Sequence, residues 1–91
     1  MSTTVLIVDD DPVQRRLAEA AVRRFGFEAR VAETGAEALT LLKSEGADVV
    51  LLDLVMPELD GLGVLAEMRK NGLATPVIVQ TSNGSIDTVV T

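Results

Sequence analysis

Three places in this chain put polar side chains directly after an apolar run, and these side chains are the ones that could do chemistry. The acidic residues 9–11 follow the run 5–8, Asp53 follows a second run, and Thr81 and Ser82 follow a third. Such runs are typical of strands buried on both faces, as in the middle of a parallel sheet. Because ligands bind beyond the carboxyl ends of such strands, the sequence predicts that these groups share one rim of a sheet.

The carboxylates at this rim predict a metal site. Two carboxylates about 4 Å apart repel each other by about 4 kcal/mol at an effective dielectric constant of about 20. If Asp9, Asp10 and Asp53 converge, they therefore need protons or a cation. An all-oxygen set without His or Cys favours Mg²⁺, which commonly bridges to phosphate and so indicates phosphoryl transfer. The alternative is a simple helix cap, which explains Asp11 but not the other carboxylates.

Alternating strands and helices must position these side chains. Asp11 followed by proline predicts a helix start, and Gly26 predicts its end. Thr34 and Glu37 fit a capping box at the start of a second helix. The predicted strands are 5–8, 28–32, 48–53 and 76–81, and the predicted helices are 12–25, 35–45 and 62–70, with another helix capped by Ser85. Repeated β-α units of this size predict an α/β fold with a parallel sheet and helices on both faces.

The composition limits the possible classes of protein. The chain has 91 residues, enough for one small domain, and 47% of them are apolar, so it can build a core. Its 8 basic and 14 acidic residues give a net charge of −6, which disfavours binding to nucleic acid or to an anionic membrane. The absence of Cys and His excludes thiol and imidazole chemistry. Without a long apolar run or a recognisable export signal, we expect a cytoplasmic protein that does not span a membrane.

Four segments of the sequence resemble the receiver domain of bacterial two-component response regulators, and their order and spacing match that family from Thr4 to the last residue. These segments are Val5-Leu-Ile-Val-Asp-Asp-Asp-Pro12, Leu51-Leu-Asp-Leu-Val-Met-Pro57, Asp60-Gly61 and Pro76-Val-Ile-Val-Gln-Thr-Ser82. The resemblance implies a flavodoxin-like three-layer αβα sandwich with a parallel sheet in the order 2-1-3-4. It also implies that residues 1–91 are a single receiver domain, incomplete at its C-terminus, with the fifth strand and fifth helix missing.

The resemblance further implies a role for each candidate site residue. Asp53 would accept a phosphoryl group from a sensor histidine kinase or a phosphotransfer protein, and would also be a ligand of Mg²⁺. Asp10 would bind Mg²⁺ directly, Asp9 would hold the ion through water, and the backbone carbonyl of Val55 would be a further ligand. Thr81 would donate its hydroxyl to a phosphoryl oxygen and couple phosphorylation to movement of the following loop. The resemblance implies that the chain would be a phosphoacceptor that takes part in its own phosphoryl transfer, not an enzyme, and that it would be the N-terminal part of a larger transcriptional regulator.

The chain also departs from the family pattern. Receiver domains have a fifth strand that carries an aromatic switch residue and ends in a lysine, and neither Lys43 nor Lys70 matches that lysine. Without this strand and the following helix, we expect strand 76–81 to be a sheet edge and apolar side chains to be uncovered. We therefore expect the chain to self-associate or to be the ordered part of a longer polypeptide. The uncovered side chains are expected near Leu6 or Val8 and near Leu51 or Val49.

Two other classes of function stay open. A protein-interaction module could keep the fold without phosphorylation, which the missing lysine favours and the intact Asp10, Asp53 and Thr81 disfavour. A phosphatase of related topology with an aspartyl-phosphate intermediate would carry its nucleophile after the first strand, whereas here the matching aspartate follows the third.

The predicted first helix carries a cluster of four arginines. We interpret this cluster as a solvated helix face, although in receiver domains the first helix also contacts the kinase. Its members are Arg15, Arg16, Arg23 and Arg24.

Overall fold

The chain alternates between strands and helices in the predicted order. The structure is a computed structural model that describes residues 3–53, 61–80 and 86–90, and the side chains of 3–52 and 63–79. The elements are β1 (Thr4–Val8), α1 (Pro12–Arg24), β2 (Glu28–Ala32), α2 (Gly35–Ser44), β3 (Val49–Asp53), α3 (Gly61–Lys70), β4 (Val77–Gln80) and β5 (Ile86–Val90). None of the helices described is long and apolar enough to cross a membrane.

Short sequence signals set the ends of the first two helices. The side chain of Asp11 caps α1 by accepting hydrogen bonds from two backbone N–H groups of the first turn, and Pro12 occupies the first helical position. Gly26 follows α1 with a φ of +88°, a conformation that glycine adopts without steric cost. The hydroxyl of Thr34 accepts the N–H of Glu37 at 3.1 Å and so caps α2.

The strands form one sheet in the order β2-β1-β3-β4-β5. β1 pairs in parallel with both β2 and β3, and β3 pairs in parallel with β4. The predicted parallel order 2-1-3-4 is therefore confirmed. Because the chain places β2 on one side of β1 and β3 on the other, the strand order reverses at β1. The carboxyl ends of β1 and β3 flank this reversal, where ligands bind in open α/β sheets.

β5 differs from the sequence prediction. Residues 86–90 pair antiparallel with β4, so the expected helix after Ser85 and the expected bare edge at β4 are both wrong. The β-branched residues of this segment favour a strand instead. The pairing also satisfies backbone groups that an exposed β4 would leave unpaired.

The main core lies on the face of the sheet covered by α2 and α3. Successive side chains of a strand point to opposite faces, and Leu6 and Val8 of β1 point to this one, where they are 1% and 0% exposed. The expectation that Leu6 or Val8 is uncovered is therefore wrong. The other members of this core are Ala32, Ala38, Leu42, Val50, Leu52, Val64, Met68, Val77 and Val79.

The opposite face of the sheet is covered by α1 only in part. No residue of α1 is buried; its Leu17 is 66% exposed, and Phe25, which caps its C-terminus, is 76% exposed. Beside α1 lies an open apolar groove of about 330 Å³. Val49 and Leu51, which the sequence analysis expected to be uncovered, are half-buried on this face. The floor of the groove is formed by Val5, Val49, Leu51 and Ile78.

Candidate functional site

The carboxyl ends of β1 and β3 bring two predicted site residues to the same level of the sheet. Val8 pairs with Leu52 in the parallel register, and Asp9 and Asp53 are the next residues of the two strands. Neighbouring strands lie about 4.8 Å apart, so the backbones of Asp9 and Asp53 are adjacent at this edge. The register of β1 and β3 therefore brings the backbones of Asp9 and Asp53 together, as the apolar runs predict.

Asp9 is the buried acidic residue at the end of β1. The residue is 5% exposed, and its backbone N–H donates to the carbonyl of Ala32 at 3.1 Å, which continues the pairing of β1 with β2. Its carboxylate oxygen Oδ1 accepts the backbone N–H of Asp11 at 2.9 Å. Asp9 therefore shapes the turn that leads from the strand into α1.

The next two acidic residues lie at the surface and differ in function. Asp11 is the cap of α1, as the helix-cap interpretation predicts, and its Oδ1 lies 2.9 Å from the backbone nitrogen of Val13. Asp10 is exposed between the strand end and the cap. The turn therefore presents Asp10 to solvent at the rim, while its two neighbours hold the backbone.

Arg15 is a member of this site that the sequence analysis placed in a solvated cluster. Its side chain is only 16% exposed, and its Nη1 donates to the backbone carbonyl of Asp9 at 3.1 Å. Its Nη2 lies 3.4 Å from Oε1 of Glu33, at the start of the loop before α2. Arg16, Arg23 and Arg24 are exposed, so the solvated interpretation is confirmed for these three and wrong for Arg15. No signal in the sequence distinguishes Arg15 from its exposed neighbour Arg16.

Several predicted site residues lie outside the described part of the structure. Val55, Thr81 and Ser82 are among them, as is the side chain of Asp53, whose backbone belongs to β3. Asp53 pairs with Gln80 of β4, and Thr81 follows directly in the sequence. The described backbone therefore brings β1, β3 and β4 to one rim, as predicted.

A comparison with known protein families identifies the chain. Residues 5–91 match the family model described as the response regulator receiver domain. The chain belongs to the response regulator receiver domain family. This family works in phosphorelay signalling.

Curated relatives and solved structures agree with that assignment. The chain is 43% identical over 86 residues to the regulatory protein AtoC of Escherichia coli, and the match covers 94% of this chain and 19% of AtoC. It is 37% identical to the response regulator MprA of Mycolicibacterium vanbaalenii, with 94% of this chain and 37% of MprA covered. The chain thus spans less than two fifths of either relative.

Two solved receiver structures share the fold. The receiver domain of the Francisella response regulator 1452 superimposes with a TM-score of 0.84 at 34% identity, covering 92% of this chain and 69% of that one. The response regulator TrrA of Thermotoga maritima, solved in complex with Mg²⁺ and BeF, gives a TM-score of 0.82 at 38% identity, covering 88% and 70%.

The donors at the receiver rim suit a hard divalent cation. Asp9 and Asp10 supply carboxylate oxygens at the end of β1, and the backbone of Asp53 lies beside them. Among the described residues, no group of three or more Asp or Glu side chains lies close enough to hold a metal ion. An oxygen-only rim of this kind fits Mg²⁺, which keeps several waters and needs few protein ligands.

Proposed function

We propose that this chain is a phosphoacceptor in which Asp53 receives a phosphoryl group from a histidine kinase or a phosphotransfer protein. The observation that carries the proposal is the parallel register of β1 and β3, which sets Asp53 beside Asp9 at the carboxyl edge of the sheet. A carboxylate oxygen of Asp53 attacks phosphorus and forms an O–P bond. The N–P bond of the phosphohistidine breaks, and its electron pair returns to the imidazole nitrogen.

We propose different roles for the rim residues in binding Mg²⁺ during this transfer. Asp10, exposed on the turn, is proposed as a direct ligand together with Asp53 and the backbone carbonyl of Val55. Asp9 is proposed to act through water, since the turn already occupies one of its carboxylate oxygens. When bound, Mg²⁺ reduces the repulsion between the attacking carboxylate and the anionic phosphoryl group. The TrrA complex with Mg²⁺ and BeF supports this assignment.

Thr81 is proposed to read the phosphorylated state. Gln80 of β4 pairs with Asp53 of β3, and Thr81 is the next residue after Gln80. A hydroxyl there can donate to a phosphoryl oxygen and draw the residues after β4 toward the rim. The chain would then report phosphorylation to the rest of a larger transcriptional regulator. The regulatory names of its relatives, and the small share of their length that it spans, support that setting.

Labelling of acidic variants tests the acceptor. In the full-length protein, Asp53→Asn should abolish a radiolabel transferred from a phosphorylated kinase, because an amide oxygen is a poor nucleophile. Asp11→Asn is the matched control, since asparagine caps a helix as well as aspartate and the variant should label normally. Hydroxylamine should remove the wild-type label, as expected for an acyl phosphate. Unchanged labelling of Asp53→Asn would place the acceptor elsewhere.

The open apolar groove favours a second role, in contacts between proteins. We propose that the chain associates with a second copy of itself through this groove and the exposed Phe25 and Phe27 that line it. Large apolar side chains that lie exposed next to one another often mark an interaction surface. A phosphorylation-independent interaction module would use the same face, and Asp53 would then be dispensable for its function.

A further inference from the structure

Arg15 connects three parts of the receiver rim. Its guanidinium donates to the backbone carbonyl of Asp9 at 3.1 Å and lies 3.4 Å from the carboxylate of Glu33. With 16% of its side chain exposed it is largely withdrawn from solvent, whereas the side chain of Arg23 on the same helix is 62% exposed. α1, the end of β1 and the loop after β2 thus meet at one side chain.

The contact with Asp9 fixes the backbone that carries Asp10. A peptide group is planar, so holding the carbonyl of Asp9 also fixes the plane that ends at the Cα atom of Asp10. Two other bonds act on the same turn: the N–H of Asp9 donates to Ala32, and the N–H of Asp11 donates to the carboxylate of Asp9. The bond from Arg15 constrains the peptide between these two points.

We propose that Arg15 is a positioning residue of the magnesium site. It acts through the carbonyl of Asp9 and sets the direction in which Asp10 presents its carboxylate, and this role rests on the function proposed above. Removing a group that orients a metal ligand by hydrogen bonding, without itself contacting the metal, typically lowers metal affinity by about 10- to 100-fold. Arg15 belongs to that class, because it contacts the ligand-bearing backbone and is not itself a ligand.

Positioning and simple charge predict opposite signs when Arg15 is neutralised. A cation beside acidic ligands repels Mg²⁺, so removal of charge alone would tighten binding. Loss of the bond to Asp9 would instead weaken binding, because the Asp10 carboxylate would sample other directions. Arg16→Met is the matched charge control, since Arg16 is exposed and has the same formal charge. Glu33→Gln is the second control, because it removes the ion pair and leaves the bond to Asp9.

The experiment titrates the protein with MgCl₂ and follows backbone amide shifts of residues 9–11 by NMR. We expect Arg15→Met to raise the Mg²⁺ dissociation constant about tenfold. Arg15→Lys, which keeps the charge but loses the planar guanidinium fork, should raise it about threefold. Arg16→Met and Glu33→Gln should stay within about twofold of wild type.

Phosphorylation by acetyl phosphate separates positioning from a general structural role. For Arg15→Met, the Mg²⁺ concentration that gives half the maximal rate should rise about tenfold, while the rate at saturating Mg²⁺ stays near that of wild type. If the maximal rate falls instead, or if Mg²⁺ binds Arg15→Met as tightly as wild type, the proposal is overturned.

Two further outcomes complete the test. Arg15→Gln replaces Arg15→Met if the latter does not fold by circular dichroism, and failure of both to fold would make Arg15 structural and overturn the proposal. If wild type shows no Mg²⁺-dependent shifts at residues 9–11, the magnesium site of the proposed function fails and this inference fails with it. Normal Mg²⁺ binding by wild type and Arg15→Met alike overturns only the role of Arg15.

Discussion

Asp9 holds the turn between β1 and α1 through both its backbone and its side chain. Its burial and its bond to the N–H of Asp11 commit one carboxylate oxygen to the turn, which leaves the exposed Asp10 better placed for direct metal binding. The sequence predicted the cap at Asp11, because an aspartate before proline is a local signal. It did not predict the burial of Arg15, because a helical arginine that reaches back to a strand end looks the same in sequence as a solvated one.

Val55 offers a test of how the rim protects an acyl phosphate. The residue lies two positions after Asp53, and its side chain cannot hydrogen-bond an attacking water, so slow self-dephosphorylation is predicted. In the full-length protein, Val55→Asn should shorten the lifetime of the phosphorylated state by roughly tenfold, because the amide can hold a water near phosphorus. Loss of label over time measures this lifetime. Val55→Ala, which adds no polar group, is the control, and equal lifetimes for Val55→Asn and wild type would count against the role.

The secondary-structure elements differ in how strongly local sequence determines them. Caps and glycine ends set the limits of α1 and α2, and the apolar runs identify β1, β3 and β4. β5 was missed because residues 86–90 follow the hydroxyl- and glycine-rich residues 82–85, which also resemble a helix start. Its place is set by a contact outside the segment itself, the antiparallel pairing with the preceding strand β4. Pairing of that kind depends on which edge is available and cannot be read from a five-residue segment alone.

The start of α1 can be tested through its cap. Asp11→Ala should lower the free energy of unfolding by about 1 kcal/mol, because the two N–H groups that Asp11 accepts lose their side-chain partner. Asp11→Asn should change it by only a few tenths of a kcal/mol. Urea unfolding followed by circular dichroism measures both variants. Equal stability of Asp11→Ala and wild type would mean that the cap contributes nothing to α1.

At the scale of the whole molecule, the two faces of the sheet are unequal. The face under α2 and α3 holds the main core, while the face under α1 leaves Leu17, Phe25 and the groove open. The sequence predicted an uncovered face from the resemblance to receiver domains. It did not identify which side chains of β1 point to that face, because the run 5–8 is apolar at every position and gives no alternation from which to choose. The structure makes that choice through the packing of Leu6 and Val8.

Self-association through the open face should depend on its large apolar side chains. Phe25→Gln and Phe27→Gln, which change the two exposed phenylalanines that line the groove, should each weaken a dimer by about 1.5–3 kcal/mol, which raises its dissociation constant at least about tenfold. Val13→Gln is the control, because Val13 is 65% exposed on α1 and does not line the groove. Size-exclusion chromatography with light scattering measures the mass across a concentration series. A wild-type chain that stays monomeric throughout, or equal weakening by Val13→Gln, would contradict this interface.

The claim that the account depends on most is that Asp53 carries the phosphoryl group. Borohydride reduces an aspartyl phosphate to homoserine, so treating the phosphorylated full-length protein and sequencing its peptides by mass spectrometry identifies the modified position directly. We predict homoserine at position 53 only when both phosphodonor and Mg²⁺ are present, with residues 9–11 unchanged. Homoserine at any of residues 9–11, or none at position 53 in a sample that carries a hydroxylamine-sensitive label, would contradict the account.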